Sequence, residues 1–292
     1  MSQVKKAVIL AAGLGTRMLP ATKSVPKELF PIVDKPALQY IVEELAASGI
    51  EHIMIIISRG KTLIEDHFDV APELEEKLRQ GGEKKKNLLA EIEKTSNLAD
   101  IIYARQKVML GTGHALLSAR EFTGNDPFVV CYGDDVIIND EYPVTKQLID
   151  AYDKYGKGVA GVQAVSLEKI RMYSSMKVDK IEGNHYNLTD MIEKPAPGKE
   201  FSLFSLLGRM VLPANIYEYI DKTQLNNGEI YLTDAMKELS KTEGMVAVDF
   251  IGKRYDMGNK LGVMEAQVEM ALKHKEIGED FREYLKEIAK TL

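Results

Sequence analysis

Three cationic side chains lie close together just after a glycine-containing turn near the start of the chain. The turn is Gly13-Leu14-Gly15, and the cations that follow it are Arg17, Lys23 and Lys27. The two glycines let the backbone turn tightly and approach a ligand closely, and two prolines within the loop stiffen it. Several cations on one stiffened loop can neutralise several phosphates together, so this segment favours binding of a polyphosphate.

Two common nucleotide-binding fingerprints do not fit this segment. Position 18 is Met18, where a dinucleotide site of the Gly-x-Gly-x-x-Gly type needs glycine, and no Gly-Lys-Ser/Thr sequence follows as in a P-loop. Hydride transfer with a nicotinamide cofactor and ordinary P-loop ATPase chemistry are therefore both disfavoured.

A pair of aspartates is the first candidate for binding a metal. Asp134 and Asp135 follow the apolar run 127–132, which predicts a strand ending just before them. A carboxylate at such a strand end suits Mg²⁺, which keeps most of its coordination shell as water or phosphate oxygen. The sequence alone leaves open which of the two aspartates points toward a ligand.

Alternating strands and helices are predicted to bring these groups together. Apolar runs predict buried strands at 7–12, 52–57, 101–105, 128–132 and 158–165. Helical spacing appears between them at 36–48, 61–68 and 73–94, with a break expected near Gly81-Gly82. This alternation predicts an α/β fold of the Rossmann-like kind, a mixed, mostly parallel sheet with helices on both faces. In such sheets ligands bind beyond the carboxyl ends of the strands, so the loops at Gly13, Arg105 and Gly133 should share one rim.

Composition excludes several classes of partner. The chain has 292 residues, a 45% hydrophobic content and a net charge of −6, so one large core can form and no basic field exists for nucleic acid or an anionic membrane. A single cysteine, Cys131, excludes an internal disulfide and fits a reducing compartment. Because no signal pattern is seen and no apolar run reaches roughly 20 residues, we expect a soluble, cytoplasmic protein.

The loop sequence carries a resemblance to a known family. Ala-Ala-Gly-Leu-Gly-Thr-Arg-Met-Leu-Pro-Ala-Thr-Lys-Ser-Val-Pro-Lys-Glu, residues 11–28, resembles the signature loop of the sugar nucleotidyltransferases, most closely the bacterial UTP:glucose-1-phosphate uridylyltransferases. The resemblance implies the nucleotide-diphospho-sugar transferase fold in a single domain. It implies a mainly nucleotide-binding half at 1–165, a mainly sugar-binding half at 166–258, and C-terminal helices at 259–292. It also implies Mg²⁺-dependent transfer of UMP from UTP to glucose 1-phosphate, giving UDP-glucose and pyrophosphate, by a homo-oligomer, either dimer or tetramer.

Later segments that match the family in order extend this resemblance and imply roles for single residues. The catalytic cations would be Arg17, Lys27 and Lys194. The nucleotide-binding residues would be Ala11, Ala12, Gly13, Gly15, Gln106 and Gly113. The sugar-binding residues would be Asp134, Glu193, Gly208 and Glu229. The Mg²⁺ ligands would be Asp134 and Asp256.

Some positions depart from the family pattern and keep alternatives open. Ser174 stands where relatives carry glycine after a tyrosine, and it could narrow the sugar pocket, while Tyr231 and Met210 replace the usual Gln and Tyr. One alternative is a related nucleotidyltransferase with another nucleotide or sugar. A second alternative is a non-catalytic UDP-sugar-binding regulator, although binding alone would not need the full set of cations and carboxylates.

Overall fold

The protein is described here by a computed structural model that covers residues 3–291. The strands within that range are β1 (Lys6–Leu10), β2 (Pro31–Ile32), β3 (Lys35–Pro36), β4 (His52–Ile57), β5 (Asp100–Arg105), β6 (Phe128–Tyr132), β7 (Asp135–Ile138), β8 (Gly158–Ala164), β9 (Ser174–Glu182), β10 (His185–Glu193), β11 (Phe204–Leu212), β12 (Met245–Asp249) and β13 (Lys253–Asp256).

The α-helices within the same range are α1 (Ala37–Ala47), α2 (Thr62–Phe68), α3 (Pro72–Gln80), α4 (Lys86–Ser96), α5 (Gly111–Leu117), α6 (Arg120–Thr123), α7 (Val144–Tyr155), α8 (Leu167–Ile170), α9 (Ile216–Lys222), α10 (Leu232–Thr242), α11 (Lys260–Lys273) and α12 (Gly278–Ala289). The predicted break in the helix at 73–94 is confirmed, because a short 3₁₀ turn at Gly82–Lys85 separates α3 from α4.

One large sheet organises the molecule, with strand order β5-β4-β1-β6-β11-β8-β12-β10-β9. Its strands run in one direction except β11 and β10, whose pairings are antiparallel. The sheet is therefore mixed and mostly parallel, as predicted. Strands from both halves of the chain share it, because β11 lies between β6 and β8.

Two apolar clusters cover the two faces of this sheet. On β1, Ala7 and Ile9 belong to the cluster that includes α1 and α7, whereas Val8 belongs to the cluster that includes α5, α9 and α10. This split follows from the strand geometry, since successive side chains point to opposite faces. Helices on both faces are thus confirmed.

Helix α11 packs on the first of these faces through Val263, Ala266 and Met270. Its side chains Leu261 and Met264 are exposed. No helix in the described range is both long and apolar enough to cross a membrane.

Candidate active site

A cavity of about 500 Å³ opens at the carboxyl ends of β1, β5, β6 and β10. This volume is in the range of small-molecule and cofactor pockets. Of the residues assigned above, the cavity is lined by Ala12, Gly13, Gly15, Lys27, Gln106, Asp134, Glu193, Lys194 and Glu229. The loops after the parallel strands β1, β5 and β6 therefore meet at the rim that the strand-end rule predicts. Glu193 and Lys194 reach the same cavity from β10, which runs in the opposite direction.

The glycine loop forms one wall of the cavity and is held in a fixed shape. Gly15 has a φ of 67°, in the left-handed region that favours glycine, and its carbonyl accepts a hydrogen bond of 2.8 Å from Thr22 Oγ1. A Cβ on Gly15 would come within 3.0 Å of Thr22 Cγ2. The closure of the loop on Thr22 thus needs glycine at this position, and it leaves the loop backbone facing the cavity.

Lys27 and Asp134 form an ion pair across the cavity floor. Lys27 Nζ also lies 3.9 Å from the position that a Cβ on Gly13 would take, so the ammonium stands beside the glycine loop. Burial by itself would lower the pKa of Lys27, but the carboxylates of Asp134 and Glu28 outweigh that effect and raise it. Lys27 therefore stays charged next to the bare backbone where phosphate would lie.

Asp256 lies beside this pair at the end of β13. Its Oδ2 accepts a 2.6 Å hydrogen bond from Tyr173 Oη and lies 3.9 Å from Arg17 Nη1, while its Oδ1 accepts a 2.8 Å bond from Gly258 N. Burial acts to raise the pKa of Asp256, yet Arg254 and the bond from Tyr173 hold that pKa below its usual value. The carboxylate is thus ionised and fixed in orientation.

Asp134 and Asp256 are the two carboxylates that face each other across Gly258. A Cβ built on Gly258 would lie 2.6 Å from Asp134 Oδ2, 2.9 Å from Asp256 Oδ1 and 2.6 Å from Arg17 Nη2, so both oxygens and the guanidinium border the same small space. Within residues 3–291 no group of three or more His, Cys, Asp or Glu side chains could hold a metal ion. Two carboxylates suit Mg²⁺, which keeps several waters and takes further oxygens from a bound phosphate.

Asp135, the neighbour of Asp134, points away from the cavity. Its carboxylate accepts a 2.7 Å hydrogen bond from Arg254 Nε and is buried against Gly208, where a Cβ would come within 2.5 Å of it. Asp135 is therefore occupied by a structural ion pair. The question that the sequence left open is answered in favour of Asp134 as the aspartate that faces the cavity.

Glu193 and Lys194 line the opposite side at the end of β10. Lys194 has a φ of 44°, which is strained for a residue with a side chain, and its N–H donates a 2.7 Å hydrogen bond to Tyr173 O. Glu193 Oε2 accepts a 3.1 Å bond from Thr233 Oγ1, and burial raises the pKa of Glu193 to about 7. The fixed backbone directs a cation and a carboxylate toward the same cavity.

Gln106 follows β5 and presents a defined hydrogen-bonding group. Its Nε2 lies 3.2 Å from Gly111 O and 3.1 Å from His114 Nδ1, so both amide hydrogens have acceptors. No hydrogen-bond partner for its Oε1 is found in the part of the chain that the structure describes. The side chain therefore offers an acceptor to a ligand that carries an N–H.

Comparison with known proteins places this site in a family. The model of the nucleotidyl transferase family matches residues 6–273. The chain belongs to the nucleotidyl transferase family. A UTP–glucose-1-phosphate uridylyltransferase of Bacillus subtilis is 47% identical over 278 residues, covering 95% of this chain and 94% of that protein.

Two solved structures share the fold of this nucleotidyl transferase. A UDP-glucose pyrophosphorylase complexed with UDP-glucose is 37% identical with a TM-score of 0.85, covering 93% of this chain and 100% of that one. A UTP-bound enzyme of the same type from Acinetobacter baumannii is 36% identical with a TM-score of 0.89, covering 97% of this chain and 99% of that one.

Five of the assigned site residues do not line the cavity of the nucleotidyl transferase. Arg17 and Asp256 lie beside it, next to Gly258 and Asp134, whereas Ala11, Gly113 and Gly208 lie behind its wall. Ala11 donates its N–H to Ile56 O at 2.9 Å and accepts at its carbonyl from Lys61 Nζ at 2.6 Å, so both backbone groups are engaged. Gly113 packs on Ile230, where a Cβ would come within 2.9 Å of Ile230 O. Gly208 leaves room for the carboxylate of Asp135, as described above. These small residues support the wall from behind.

The sequence reasoning missed a buried ion pair under the glycine loop. Lys61 Nζ lies 2.8 Å from both carboxylate oxygens of Glu28, which itself lines the cavity. Lys61 follows the parallel strand β4. The rule that ligands bind beyond the carboxyl ends of such strands would therefore have placed Lys61 on the rim. The sequence gives no sign that Glu28 is buried, because it is a charged residue next to another charged residue, Lys27. Tyr132, the last residue of β6, also lines the cavity and was missed.

Ser174 does not enter the cavity. The side chain is buried, and its Oγ accepts a 3.3 Å hydrogen bond from Leu206 N on the neighbouring strand. The hydroxyl is thus turned into the sheet, and narrowing of the sugar pocket by this side chain is not seen.

Proposed function

We propose that this protein transfers UMP from UTP to glucose 1-phosphate and releases pyrophosphate and UDP-glucose. The observation that carries the proposal is the meeting of the glycine loop, Lys27 and Asp134 with Glu193 and Lys194 in one cavity. These groups supply a phosphate cradle, two cations from distant segments and a carboxylate for sugar hydroxyls. The name of the Bacillus subtilis relative and the ligands of the two structural relatives support the same reaction.

The glycine loop and Gln106 bind the nucleotide in this proposal. Ala12 and Gly13 offer backbone groups to the base, and Gln106 Oε1 accepts the N3–H of uracil. Cytosine has no hydrogen at N3, so the same acceptor would face an acceptor. Gly15 and Arg17 bind the phosphates of UTP, and Arg17 stabilises the leaving pyrophosphate.

Lys194, Glu193 and Glu229 bind the sugar phosphate. The Lys194 ammonium grips the phosphate of glucose 1-phosphate, and the two carboxylates accept hydrogen bonds from hexose hydroxyls. Lys27 stands between the two substrates beside the glycine loop, where it can neutralise the α-phosphate of UTP.

The reaction needs little proton transfer, because the attacking phosphate oxygen is already ionised. That oxygen forms a bond to the α-phosphorus of UTP while the bond from this phosphorus to the bridging oxygen of pyrophosphate breaks in line. The barrier comes from crowding anions together and from charge moving onto pyrophosphate. Fixed cations lower it by positioning and by stabilising this charge.

Asp134 and Asp256 would hold the divalent cation, and we propose Mg²⁺. When bound there, it would neutralise phosphate charge and help to orient the α-phosphate. Lys27 pairs with Asp134, and a cation on this carboxylate would leave the Lys27 ammonium for the nucleotide.

A panel of nucleotides and sugar phosphates tests the proposed function. With Mg²⁺, we expect pyrophosphate release to be fastest for UTP with glucose 1-phosphate, and CTP to be a poor substrate because of Gln106. UDP-glucose should be identified as the product by mass spectrometry. Tight binding of UDP-glucose without any turnover would instead support the regulator, and preference for another nucleotide or hexose would support a related transferase.

The pKa of Glu193 predicts a pH-dependent affinity for the sugar phosphate. Since burial raises that pKa to about 7, the carboxylate becomes protonated as the pH falls from 8 to 6 and accepts hydrogen bonds less well. The KM for glucose 1-phosphate should therefore rise over this range. Glu193→Gln, which does not titrate, should lose the part of the pH dependence that belongs to this side chain. Identical pH profiles for the two proteins would show that Glu193 does not bind the sugar in its charged form.

A further inference from the structure

We infer that Tyr231 is a positioning residue for Lys194 and so tunes the affinity for the sugar phosphate. Lys194 Nζ lies over the Tyr231 ring, 5.4 Å from its centroid, and both residues line the cavity. No carboxylate of residues 3–291 lies within ion-pair distance of this ammonium. The aromatic face is thus the group in contact with the ammonium, while the Glu193 carboxylate attracts it from a greater distance. The inference rests on the proposed function, because that function assigns Lys194 to the sugar phosphate.

The backbone of Tyr231 is fixed to the nucleotide side of the cavity. Ile230 N donates to Leu110 O at 2.7 Å, Gly113 N donates to Ile230 O at 2.8 Å, and Leu232 N donates to Thr112 Oγ1 at 3.1 Å. These three bonds clamp the residues on both sides of Tyr231 against the segment that follows Gln106. The ring therefore has a rigid support.

Lys194 approaches this ring from the other side of the cavity. Its backbone is held by the bond to Tyr173 O and by the buried Pro195 that follows. Between this anchor and the ammonium lie four flexible methylene groups, which could place the charge in many positions. The contact with Tyr231 restricts the ammonium to positions near this ring, between the residues assigned to the nucleotide and those assigned to the sugar.

A restrained cation has less conformational freedom to lose when the phosphate binds. Truncating the ring should therefore weaken binding of ligands that carry a sugar phosphate and leave UTP binding unchanged. The expected size is roughly two- to fivefold, as for a cation over an aromatic ring at a partly exposed site. The tyrosine hydroxyl is not needed for this effect, so phenylalanine should serve as well.

The test compares Tyr231→Leu with Tyr231→Phe. Dissociation constants for UDP-glucose and UTP are measured by calorimetry, and KM and kcat are measured for glucose 1-phosphate. Tyr231→Phe is the reference, because both variants lack the hydroxyl that interacts with Glu229. Relative to the phenylalanine variant, the leucine variant should weaken UDP-glucose binding and raise the KM by the stated factor, with kcat and UTP affinity retained. Tyr284→Leu, at an exposed tyrosine on α12, controls for loss of an aromatic side chain elsewhere.

A double-mutant cycle separates positioning of Lys194 from direct contact with the sugar. In a Lys194→Met background, the change from Tyr231→Phe to Tyr231→Leu should cause no further loss of UDP-glucose affinity. An equal loss in both backgrounds, or a leucine variant that binds like the phenylalanine variant, would overturn the inference.

A failure of the proposed function would look different, because UDP-glucose would then not form from UTP and glucose 1-phosphate, whatever the residue at position 231. In that case the contact itself is tested by the ring-current shift of the Lys194 methylene resonances in ¹³C-lysine protein, assigned by Lys194→Arg. This shift should disappear in Tyr231→Leu, and its persistence would overturn the inference.

Discussion

Asp134→Ala is expected to lower kcat for UDP-glucose formation by roughly 10²- to 10³-fold, the range found when one positioned electrostatic group is removed from an active site. Asp134 lines the cavity, pairs with Lys27 and borders the space next to Gly258 where Asp256 also points. Its loss removes one of the two carboxylates for the divalent cation and frees Lys27 from its fixed position. Pyrophosphate release with saturating UTP and glucose 1-phosphate measures the effect.

Asp135→Ala is the matched control for this prediction. Asp135 is buried, pairs with the largely covered Arg254 and does not line the cavity. Removing one partner of a buried ion pair costs about 3–5 kcal/mol of unfolding free energy, so this variant should lose stability. Asp134→Ala should instead unfold at nearly the original urea concentration. A variant Asp134→Ala with a near-normal kcat would show that our assignment of this residue is wrong.

Glu44→Ala is expected to cause a large loss of stability, about 3–5 kcal/mol of unfolding free energy. Arg209 is fully buried, and its Nη2 lies 2.7 Å from Glu44 Oε2. Glu44 Oε1 also accepts hydrogen bonds from Thr145 N at 2.9 Å and from Thr145 Oγ1 at 2.6 Å. Without the glutamate, a buried guanidinium and the end of a second helix both lose their partner. The free energy of unfolding in urea measures the loss.

The adjacent Glu43 provides a control on the same helix. Glu43 pairs with Lys35, and both side chains remain partly exposed, so Glu43→Ala should cost only about 0–1 kcal/mol. If Glu44→Ala fails to fold, Glu44→Gln keeps an acceptor oxygen for Arg209 and should show a smaller but measurable loss. Equal stability of the alanine variants at 43 and 44 would contradict the account of this pair.

Much of the fold could be predicted from apolar runs. The central strands of the sheet are buried on both faces, so His52–Ile57 and Phe128–Tyr132 stand out as continuous apolar segments, and the structure confirms both. The hairpin strand His185–Glu193 was missed because it lies near the edge of the sheet, where polar and charged residues interrupt the apolar pattern. Short strands such as Asp135–Ile138 also lack a recognisable period.

The site could be predicted where its residues follow strands. Lys27 and Asp134 lie far apart in sequence, yet the loops at the carboxyl ends of the parallel strands β1 and β6 bring both to one cavity. Lys194 follows the antiparallel strand β10, so this rule could not place it, and only the family resemblance indicated it. The choice between Asp134 and Asp135 could not be made from sequence, because it depends on Arg254, which lies on another strand and occupies Asp135. Lys61 follows β4 and could have been placed on the rim, but its pairing with Glu28 could not, since a buried partner for a charged residue appears only when the chain is folded.

A crystal structure with UDP-glucose and Mg²⁺ tests the central claim most directly. We predict the uracil beside Gln106, the sugar phosphate on Lys194, and the metal ion held by Asp134 and Asp256. Ligand density in a different cavity, or a nucleotide in this cavity with Lys194 and both aspartates remote from its phosphates, would contradict the account.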